Sequence, residues 1–248
     1  MKTVLVTGCS SGFGLAIARD FLERGWRVVA TMRNPKEGLL PASDRLTLLP
    51  LDVTDAASIA RAVAAAGPID VLVNNAGIGF LNALEATPVE TARALFETNV
   101  LGLVAMTQAV VPAMRERGAG VIVHIGSSVT LKPLPLLSVY SASKHAVNGF
   151  STALAEELAA FGIRVVTVLP GRAPATRFGE NAMALLPAEN PFPAPYAPLV
   201  EAFMAGFSDE SAPSTSEEDV VSAVRQAVED PAAPRLIPAG ADAVELAG

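Results

Sequence analysis

A glycine-rich turn near the start of the chain constrains its fold more than any other feature. The β-branched run 3–6 leads into this turn, and a helical pattern begins after it at Leu15. Gly8, Gly12 and Gly14 lie where the backbone must turn tightly and where the helix must pack closely on its strand. A strand, a glycine-rich turn and a helix in this order predict the first unit of an α/β fold. The spacing Gly-x3-Gly-x-Gly differs from Gly-x-Gly-x-x-Gly, so on its own it favours a merely structural turn.

The same alternation of strand and helix continues along the chain. Five such alternations without any other repeat predict a Rossmann-type, doubly wound α/β fold, with a seven-stranded parallel sheet flanked by helices. We expect a single domain over residues 1–248, in which the proline-rich segment 172–216 forms a lid over a substrate. The predicted strands are 3–6, 27–32, 46–51, 70–73, 121–125, 164–169 and 235–238, and the main predicted helices are 15–24, 56–66, 90–117, 141–160 and 217–229.

Composition and charge exclude several classes of function. The chain has 248 residues, a net charge of −7 and no basic run, so it lacks the electrostatic footprint of a nucleic-acid-binding protein. Its longest apolar stretches have strand length or are broken by charge and proline, which predicts no membrane span. No apolar signal segment precedes the first strand, and the single cysteine, Cys9, forms no internal disulfide, so we expect a cytoplasmic protein. His124 and His145 have no neighbouring ligand set, so no metal is expected.

The ends of the second, third and fourth strands carry residues that would meet a dinucleotide. In such folds a carboxylate after the second strand selects a free ribose 2′-hydroxyl, whereas an arginine accommodates a 2′-phosphate. Met32 and Arg33 stand there without a carboxylate, which favours NADP over NAD. The glycine-rich turn itself carries no basic residue, so NAD stays open as the alternative. Asp52 is placed to accept a hydrogen bond from the adenine amino group, and the small residues of 74–77 would let the backbone approach the cofactor.

A tyrosine and a lysine at helical spacing supply the candidate chemistry. Tyr140 and Lys144 are four residues apart in a helical run, so their side chains share one face. A phenol with a pKa near ~10 is a poor acid or base at neutral pH, and a neighbouring cation lowers that pKa toward the working range. Ser127 precedes Tyr140 by thirteen residues and follows a predicted strand, at the sheet edge where ligands bind. A Tyr–Lys pair alone often arises by chance, so its meaning depends on the other motifs.

Six motifs occur along the chain in a fixed order. They are Thr7-Gly-x3-Gly-x-Gly14, Asn74-Asn-Ala-Gly77, Asn99, Ser127, Tyr140-x3-Lys144 and Pro170-Gly171. Together they resemble the short-chain dehydrogenase/reductase family over essentially the whole chain. The end of the second strand, residues 30–35, is similar to that of members which act on retinoids and hydroxysteroids with NADP.

The resemblance implies a role for each motif. Tyr140 would be the general acid/base, and Ser127 would bind the reacting carbonyl or alcohol. Lys144 would hold the nicotinamide ribose and lower the pKa of the tyrosine, and Asn99 would support a proton relay through water. The predicted cofactor-binding residues are Gly8, Ser10, Ser11, Gly12, Phe13, Gly14, Met32, Arg33, Asp52, Val53, Asn75, Ala76, Gly77, Tyr140, Lys144, Pro170, Gly171 and Thr176.

Three features depart from the family pattern, and one of them is the presence of Arg172 and Pro174 in the loop after Pro170-Gly171, where they would reshape the lid. Gly126 stands where many relatives have a first serine, so Ser127 is chosen by its thirteen-residue spacing to the tyrosine, and Ser128 remains a substitute. The threonine expected soon after Pro170-Gly171 is Thr176, displaced by one position, which puts its contact with the carboxamide of the nicotinamide in doubt.

The sequence therefore predicts an NADP-dependent oxidoreductase that transfers hydride between nicotinamide and a hydrophobic secondary alcohol or ketone. The phenylalanines and methionines of 172–216 suggest an apolar substrate, although they are equally typical of simple packing. The family resemblance implies a homodimer or homotetramer assembled through the helices 90–117 and 141–160. The alternative function is a non-catalytic NADP-binding regulator or scaffold of the same fold, which would have no need for the complete Asn, Ser, Tyr and Lys set.

Overall fold

A parallel sheet of seven strands organises the computed structural model, which describes residues 1–186, 192–209 and 211–248. In chain order the strands are β1 (Thr3–Val6), β2 (Arg27–Met32), β3 (Leu46–Pro50), β4 (Val71–Asn74), β5 (Gly120–Ile125), β6 (Ile163–Pro170) and β7 (Leu236–Ala239). Their order in the sheet is β3-β2-β1-β4-β5-β6-β7. The strand order reverses between β1 and β4, which confirms the predicted doubly wound topology and places the ligand crevice at the carboxyl ends of these two strands.

Helices cover both faces of the sheet. They are α1 (Gly12–Glu23), α2 (Ala56–Ala66), α3 (Val89–Phe96), α4 (Gly102–Arg117), α5 (Ser138–Ala159), α6 (Phe178–Met183), α7 (Ala197–Ser208), α8 (Glu217–Glu229) and α9 (Ala241–Ala247). The core on one face contains Phe21 of α1 and Val224 of α8, and the core on the other contains Met106 of α4 and Leu154 of α5. Both layers follow from strands that are apolar on both sides, as a parallel sheet requires.

The predicted helix 90–117 is a helical run that contains a wider turn. Helices α3 and α4 are joined by a π-helical turn, Glu97–Leu101. Asn99 lies in this turn and is 2% exposed. An asparagine in the middle of a helix is unfavourable, and π turns often occur at functional sites. The break in regular α geometry therefore marks Asn99 as a residue whose side chain has a specific partner.

The run Val89–Arg117 is also long and apolar enough, by length and composition alone, to cross a membrane. It has 29 residues, and its mean hydropathy reaches 1.4. The prediction that every apolar stretch is too short for a bilayer is therefore wrong for this helix. Met106 and Met114 within it are fully buried in the core, as in the central helices of many globular proteins. The absence of membrane contact stays a prediction.

The predicted lid, 172–216, contains α6 and α7. Residues 187–191 and 210, which include Pro187 and Pro191 of the proline-rich pattern, lie outside the described residues. The apolar residues Phe192, Tyr196, Val200 and Phe203 pack against a small core cluster that includes Leu136, beside the start of α5. The lid thus packs next to the helix that carries Tyr140.

Arg172 ties the two ends of this segment together. Its guanidinium donates to the backbone carbonyls of Phe207 at 2.6 Å, Asp209 at 2.8 Å and Ala212 at 2.8 Å. Its backbone N–H donates to the carboxylate of Asp242 in α9 at 2.5 Å. The fixed, multi-donor fork of arginine suits such a junction between backbone segments.

Candidate active site

The glycine-rich turn between β1 and α1 has the geometry of a phosphate-binding turn. Gly8 and Gly12 have φ angles of 75° and 57°, which glycine adopts without strain. A β-carbon at Gly14 would lie 2.4 Å from Asn75 Nδ2 and 2.5 Å from the carbonyl oxygen of Gly8. Only glycine at this position therefore lets α1 begin so close to β1. Such a turn lets the backbone approach a pyrophosphate without interference from side chains.

The N-terminus of α1 is open to an anion. Ser11 is its N-cap residue, but within the described part of the chain the Ser11 side chain makes no capping hydrogen bond, and the first turn holds no acidic residue. The first N–H groups of the helix and its positive dipole end are thus available to negative charge. A dinucleotide pyrophosphate fits this position. Ser10 beside it is exposed, whereas Phe13 packs against the core.

The end of β4 holds the turn in place. The hydroxyl of Thr7 accepts the backbone N–H groups of Asn75 at 3.0 Å and Ala76 at 2.9 Å. In return, Asn75 Nδ2 donates to the carbonyls of Thr7 at 2.9 Å and Gly8 at 3.2 Å. Asn75, Ala76 and Gly77, predicted to lie along the ribose, are thus brought beside the turn. The side-chain amide of Asn75 binds the turn itself.

The end of β2 brings one of its two predicted cofactor residues to the surface. Arg33 is exposed and forms no ion pair with any other described residue, so its guanidinium is open to a phosphate. Met32 is 4% exposed and belongs to the core. Met32 is still part of β2, and its side chain points into the core. The prediction that Met32 binds the cofactor is therefore wrong for its side chain.

A tight turn after β3 carries Asp52 and Val53. One carboxylate oxygen of Asp52 accepts the N–H of Thr54 at 2.9 Å and its hydroxyl at 2.7 Å. These two hydrogen bonds lower the pKa of Asp52, and the charge of Arg33 adds to the effect. Asp52 is therefore ionised and able to accept a further donor such as an amino group. Val53 is buried against Gly102, where a β-carbon would lie 2.8 Å from Val53 Cγ2.

Tyr140 and Ser127 meet at the carboxyl end of β5. Ser127 follows this strand as the N-cap of a short 3₁₀ turn, and its hydroxyl accepts the N–H of Val129 at 3.3 Å. Tyr140 lies in the first turn of α5 and is 7% exposed. Ser127 is close enough for its side chain to lower the pKa of the Tyr140 phenol. The structure thus brings together the two residues predicted from their spacing, and it favours Ser127 over Ser128 as the serine partner.

Gly126 has a packing reason for replacing the first serine. A β-carbon there would lie 2.8 Å from Leu169 Cδ2 and 2.9 Å from Thr167 Cγ2. Both contacts are shorter than real β-carbons show, so a serine at this position would require the side chains of Leu169 and Thr167 to shift. Glycine at 126 avoids this, and the hydroxyl is provided by the next residue, Ser127.

Lys144 is buried one helical turn beyond Tyr140. Its Nζ atom lies 5.9 Å from the centre of the Tyr140 ring and donates to the carbonyl of Ile125 at 2.9 Å. Throughout the described ranges, no carboxylate forms an ion pair with it. Burial therefore dominates and lowers the pKa of the Lys144 ammonium to about 8. Two N–H groups of the ammonium remain for a ligand.

The prediction that Lys144 brings the pKa of Tyr140 toward neutrality is wrong for this structure. Burial raises the pKa of Tyr140 to about 12, and the nearby Ser127 side chain opposes that rise only in part. A phenolate would lose its hydration here, and the ammonium is held on the Ile125 carbonyl instead of on the phenol oxygen. Tyr140 is thus a neutral phenol at pH 7, the form that donates a proton.

Asn99 joins the π turn to the loop after β4. Its side-chain oxygen accepts the N–H of Ile78 at 2.8 Å, and its Nδ2 donates to the carbonyl of Ile78 at 2.9 Å and to Ser143 Oγ at 3.2 Å. Ser143 Oγ donates in turn to the carbonyl of Tyr140 at 2.7 Å. Both amide N–H groups of Asn99 are therefore bound to protein. The proton relay through water stays a prediction.

The segment after β6 reaches from the last helix to the glycine-rich turn. A β-carbon at Gly171, which follows Pro170, would lie 2.0 Å from the carboxylate of Asp242, so only glycine fits. Thr176 is displaced by one position from the family pattern. Its Cβ nevertheless lies 3.6 Å from where a β-carbon on Gly12 would stand. The start of the lid therefore lies next to the turn predicted to bind the pyrophosphate.

An apolar cavity of about 600 Å³ opens beside Tyr140. Phe80, Leu137, Phe178 and Met183 contribute to its walls, which come from the loop after β4, the start of α5 and the lid. Its volume lies within the range of ligand pockets, and its walls are mainly apolar with a few polar groups, as such pockets usually are. Thr176 lines the same cavity, so the cavity adjoins the glycine-rich turn.

The remaining candidate reactive groups have structural roles. His124 is fully buried, with Nδ1 2.6 Å from Ser151 Oγ, and burial and then the charge of Lys144 lower its pKa to about 3. Burial raises the pKa of the Cys9 thiol to about 12, which makes it unreactive. Among the described residues, no group of three or more His, Cys, Asp or Glu side chains could hold a metal ion.

A family model for short chain dehydrogenases matches residues 2–184. The chain belongs to this family. The short-chain dehydrogenase is 43% identical over 181 residues to the uncharacterized oxidoreductase YusZ of Bacillus subtilis, covering 68% of this chain and 64% of that protein. It is 41% identical over 174 residues to the 3-ketodihydrosphingosine reductase of Bacteroides thetaiotaomicron, covering 68% and 63%. It is 40% identical over 181 residues to human retinol dehydrogenase 8, covering 68% and 58%. The chain thus spans less than two thirds of the length of these relatives.

Solved structures of related short-chain dehydrogenases share the fold. A short-chain dehydrogenase from Streptomyces avermitilis superposes with a TM-score of 0.84 at 34% identity, covering 99% of this chain and 90% of that one. One from Burkholderia cenocepacia in complex with NADP has a TM-score of 0.78 at 30% identity, covering 100% and 93%. One from Burkholderia phymatum in complex with NAD has a TM-score of 0.81 at 25% identity, covering 96% and 88%. These neighbours support a nicotinamide cofactor of either kind.

Several residues near the candidate site were given no functional role from the sequence. Thr7 had a local signal, because its hydroxyl ends β1 directly before the turn that it stabilises. Asp242 and Gly79 had none, since their contacts with Arg172 and Phe178 join segments far apart in the sequence. Such contacts become visible only when the chain is folded.

Proposed function

We propose that the protein is an NADP-dependent oxidoreductase that transfers hydride between nicotinamide and a hydrophobic secondary alcohol or ketone, with Tyr140 as general acid/base. The observation that carries the proposal is the position of the Tyr140 phenol. It is buried, lies near the Ser127 side chain, and is placed on the wall of an apolar cavity that adjoins the glycine-rich turn. A protonated phenol, a hydroxyl and a buried ammonium together suit proton transfer to or from a carbonyl or alcohol oxygen.

Ser127 and Tyr140 would share the oxygen of the substrate. A carbonyl oxygen that enters beside the two hydroxyls accepts a hydrogen bond from each, which polarises the carbonyl. The cofactor, when bound, supplies hydride to the carbonyl carbon. Tyr140 then donates its proton to the developing alkoxide. With its pKa raised to about 12, the phenol is fully protonated at pH 7, which favours the direction of ketone reduction.

Lys144 would hold the nicotinamide ribose through the two ammonium N–H groups that the Ile125 carbonyl leaves free. A bound ribose would add acceptors around the ammonium and favour its charged form. The cation would then stabilise negative charge that develops on the Tyr140 oxygen. In this way Lys144 contributes to the reaction even though burial sets the pKa of the free tyrosine.

Two observations support the choice of NADP. Arg33 is exposed without an ionic partner among the described residues, next to the position where the ribose of the adenosine would lie. A guanidinium is a strong bidentate partner for a 2′-phosphate. The carboxylate of Asp52, after β3, already accepts two hydrogen bonds from Thr54, and it does not stand at the end of β2, where a carboxylate selects a ribose 2′-hydroxyl. We therefore assign the 2′-phosphate to Arg33.

The substrate would be apolar. The cavity is lined mainly by apolar side chains, and two relatives are named for compounds with long apolar chains, retinol and 3-ketodihydrosphingosine. Burial of each CH₂ group stabilises a complex by about 0.8 kcal/mol, or roughly 4-fold in affinity. Longer ketones should therefore react more efficiently until the cavity is filled.

The test is NADPH oxidation with methyl ketones of increasing alkyl length. We expect kcat/KM to rise by about 4-fold per added CH₂ group over the first few members. Efficiency that is independent of chain length would contradict the apolar substrate. Tight NADPH binding without turnover of any ketone would contradict the enzyme and favour a non-catalytic regulator.

We also propose that the protein forms a homo-oligomer through α3, α4 and α5. Exposed apolar side chains lie along these helices and the turns next to them, among them Val89, Leu101 and Phe161, which are 59%, 51% and 43% exposed. Apolar groups at such exposure on neighbouring elements are typical of protein interfaces. A two-fold interface would cover them with the same residues of a second copy.

A further inference from the structure

We propose that Phe178, seated on Gly79, is the specificity-determining wall beside Tyr140 and limits the size of the substituent next to the reacting carbonyl. The inference rests on the proposed function and deepens it, because it concerns which ketones reach the phenol. Phe178 begins α6, the first helix of the lid, and lines the cavity together with Tyr140 and Gly79.

Phe178 packs directly against the tyrosine ring. The two ring centres are 5.7 Å apart with an interplanar angle of 56°, within the range of favourable aromatic pairs. Tyr140 is only 7% exposed, whereas Phe178 is 40% exposed. The phenylalanine thus covers the tyrosine with part of its ring and presents the rest to the cavity. A substrate that brings its oxygen to Tyr140 must pack against this ring.

Gly79 provides the space for the phenylalanine. A β-carbon at Gly79 would lie 2.6 Å from Phe178 Cε1 and 2.7 Å from Cζ, and 3.3 Å from the Cβ of Ala182. The φ angle of Gly79 is not positive, so the backbone conformation does not require glycine here. Glycine is required because the Phe178 ring approaches so closely. Gly79 and Phe178 therefore form one packing unit that joins the loop after β4 to the lid.

Other aromatic residues of the cavity have different partners. Phe203 and Phe207 of α7 stack on one another, with ring centres 6.4 Å apart and an interplanar angle of 8°. Replacing Phe203 would enlarge the cavity while leaving the Phe178–Tyr140 contact in place. Phe203→Ala is therefore a matched control for Phe178→Ala.

The first experiment measures substrate selectivity with NADPH and two ketones, acetophenone and benzophenone. They differ in the substituent beside the carbonyl, a methyl group against a phenyl group. We expect Phe178→Ala to raise the benzophenone to acetophenone ratio of kcat/KM by about 10-fold or more, and Phe203→Ala to change it by less than about 3-fold. Equal effects of the two variants, with turnover retained, would overturn the proposal.

The second experiment tests the contact between Phe178 and Gly79 by a double-mutant cycle. Gly79→Ala alone should push Phe178 away from Tyr140 and shift the same selectivity ratio. In the Phe178→Ala background it should have little further effect, because the added methyl group then meets no ring. Equal effects of Gly79→Ala in both backgrounds would show that Phe178 is not seated on Gly79. Circular dichroism and thermal melting verify that each variant is folded.

A third measurement does not depend on turnover. The chain has two tyrosines, so in a Tyr196→Phe background nitration by tetranitromethane reports on Tyr140 alone. Removal of the Phe178 ring should expose the phenol, lower its pKa and accelerate nitration by at least about 10-fold, since each pKa unit changes the phenolate fraction tenfold. Phe203→Ala should leave the rate unchanged. If the wild-type protein reduces neither ketone, the proposed function fails, while an unchanged nitration rate in Phe178→Ala would separately overturn the role of Phe178.

Discussion

At Tyr140, burial and the nearby Ser127 side chain shift the pKa of the same phenol in opposite directions. The net pKa of about 12, against 10.0 for a free phenol, corresponds to about 3 kcal/mol in favour of the protonated form. Desolvation therefore outweighs the effect of the Ser127 side chain. The phenol is therefore protonated at pH 7, which is the form that can donate a proton.

Lys144 gives a prediction about stability and pH. Its folded pKa of about 8 lies below the 10.5 of an exposed lysine, so between these values the unfolded chain binds a proton that the folded protein has released. The free energy of unfolding of the wild-type protein should therefore rise with pH in this window, relative to Lys144→Met, by up to about 1.4 kcal/mol per pH unit. Below pH 8 the difference should be constant. Urea denaturation of both proteins from pH 6 to 10 measures it, and parallel curves throughout would contradict the burial of a charged ammonium.

Arg33 gives a prediction about cofactor choice. Arg33→Ala should raise the KM for NADPH by about 10- to 100-fold, the loss expected for hydrogen bonds to a charged group, and leave the KM for NADH nearly unchanged. Steady-state kinetics with both cofactors measure this. A similar loss with NADH would mean that Arg33 stabilises the loop instead of binding the 2′-phosphate.

The positions of the candidate site residues in the fold were predictable, whereas their protonation state and burial were not. Tyr140 and Lys144 share a helix face at a fixed spacing, and Ser127 follows a strand, so local patterns suffice to place them. The pKa of Tyr140 depends on what covers the phenol, which includes Phe178 from a distant part of the chain. The inward position of Met32 likewise depends on where β2 ends relative to the core.

At the scale of single elements, the space around a glycine determines whether alanine can replace it in a helix. Gly149 in α5 is exposed, and a β-carbon there would meet no atom within 4 Å. Gly14 in α1 is closely surrounded by backbone. The two positions therefore predict opposite outcomes for the same substitution.

Gly149→Ala should stabilise the protein by about 1 kcal/mol, because alanine has the higher helix propensity in an exposed helix interior. Gly14→Ala should destabilise it by about 1–3 kcal/mol, since the added methyl group forces the turn apart. It should also weaken NADPH binding. Urea denaturation and cofactor titration measure both effects, and stabilisation by Gly14→Ala would contradict the tight turn.

Regular helices were predicted from the sequence more accurately than irregular turns and loop segments. Helix α8 was predicted with its observed bounds, and Ser216 and Asp219 form a reciprocal capping box at its start. The π turn Glu97–Leu101 was not predicted, because it depends on the hydrogen bonds of Asn99 to Ile78 in another segment. The helices α6 and α7 lie in a proline-rich segment whose order depends on anchors such as Arg172.

At the scale of the whole molecule, the exposed apolar surface of α3 to α5 predicts an assembly. The wild-type protein should have the mass of a dimer or tetramer by light scattering. Leu101→Lys, which puts a charge on this surface, should shift it toward the monomer. Leu199→Lys on α7, where the leucine is 38% exposed, is the control and should leave the mass unchanged. A monomeric wild-type protein would contradict the interface.

The molecule as a whole places one protonated phenol between a cofactor-binding turn and an apolar cavity, and replacement of that phenol tests this account most directly. Single-turnover reduction of a long-chain methyl ketone by NADPH should be slower in Tyr140→Phe by about 10² to 10⁴-fold, the contribution of a positioned general acid. The Kd for NADPH should stay within about 3-fold of the wild-type value, because the phenyl ring remains in place. Reduction at the wild-type rate by Tyr140→Phe would contradict the assignment of the proton donor and the mechanism built on it.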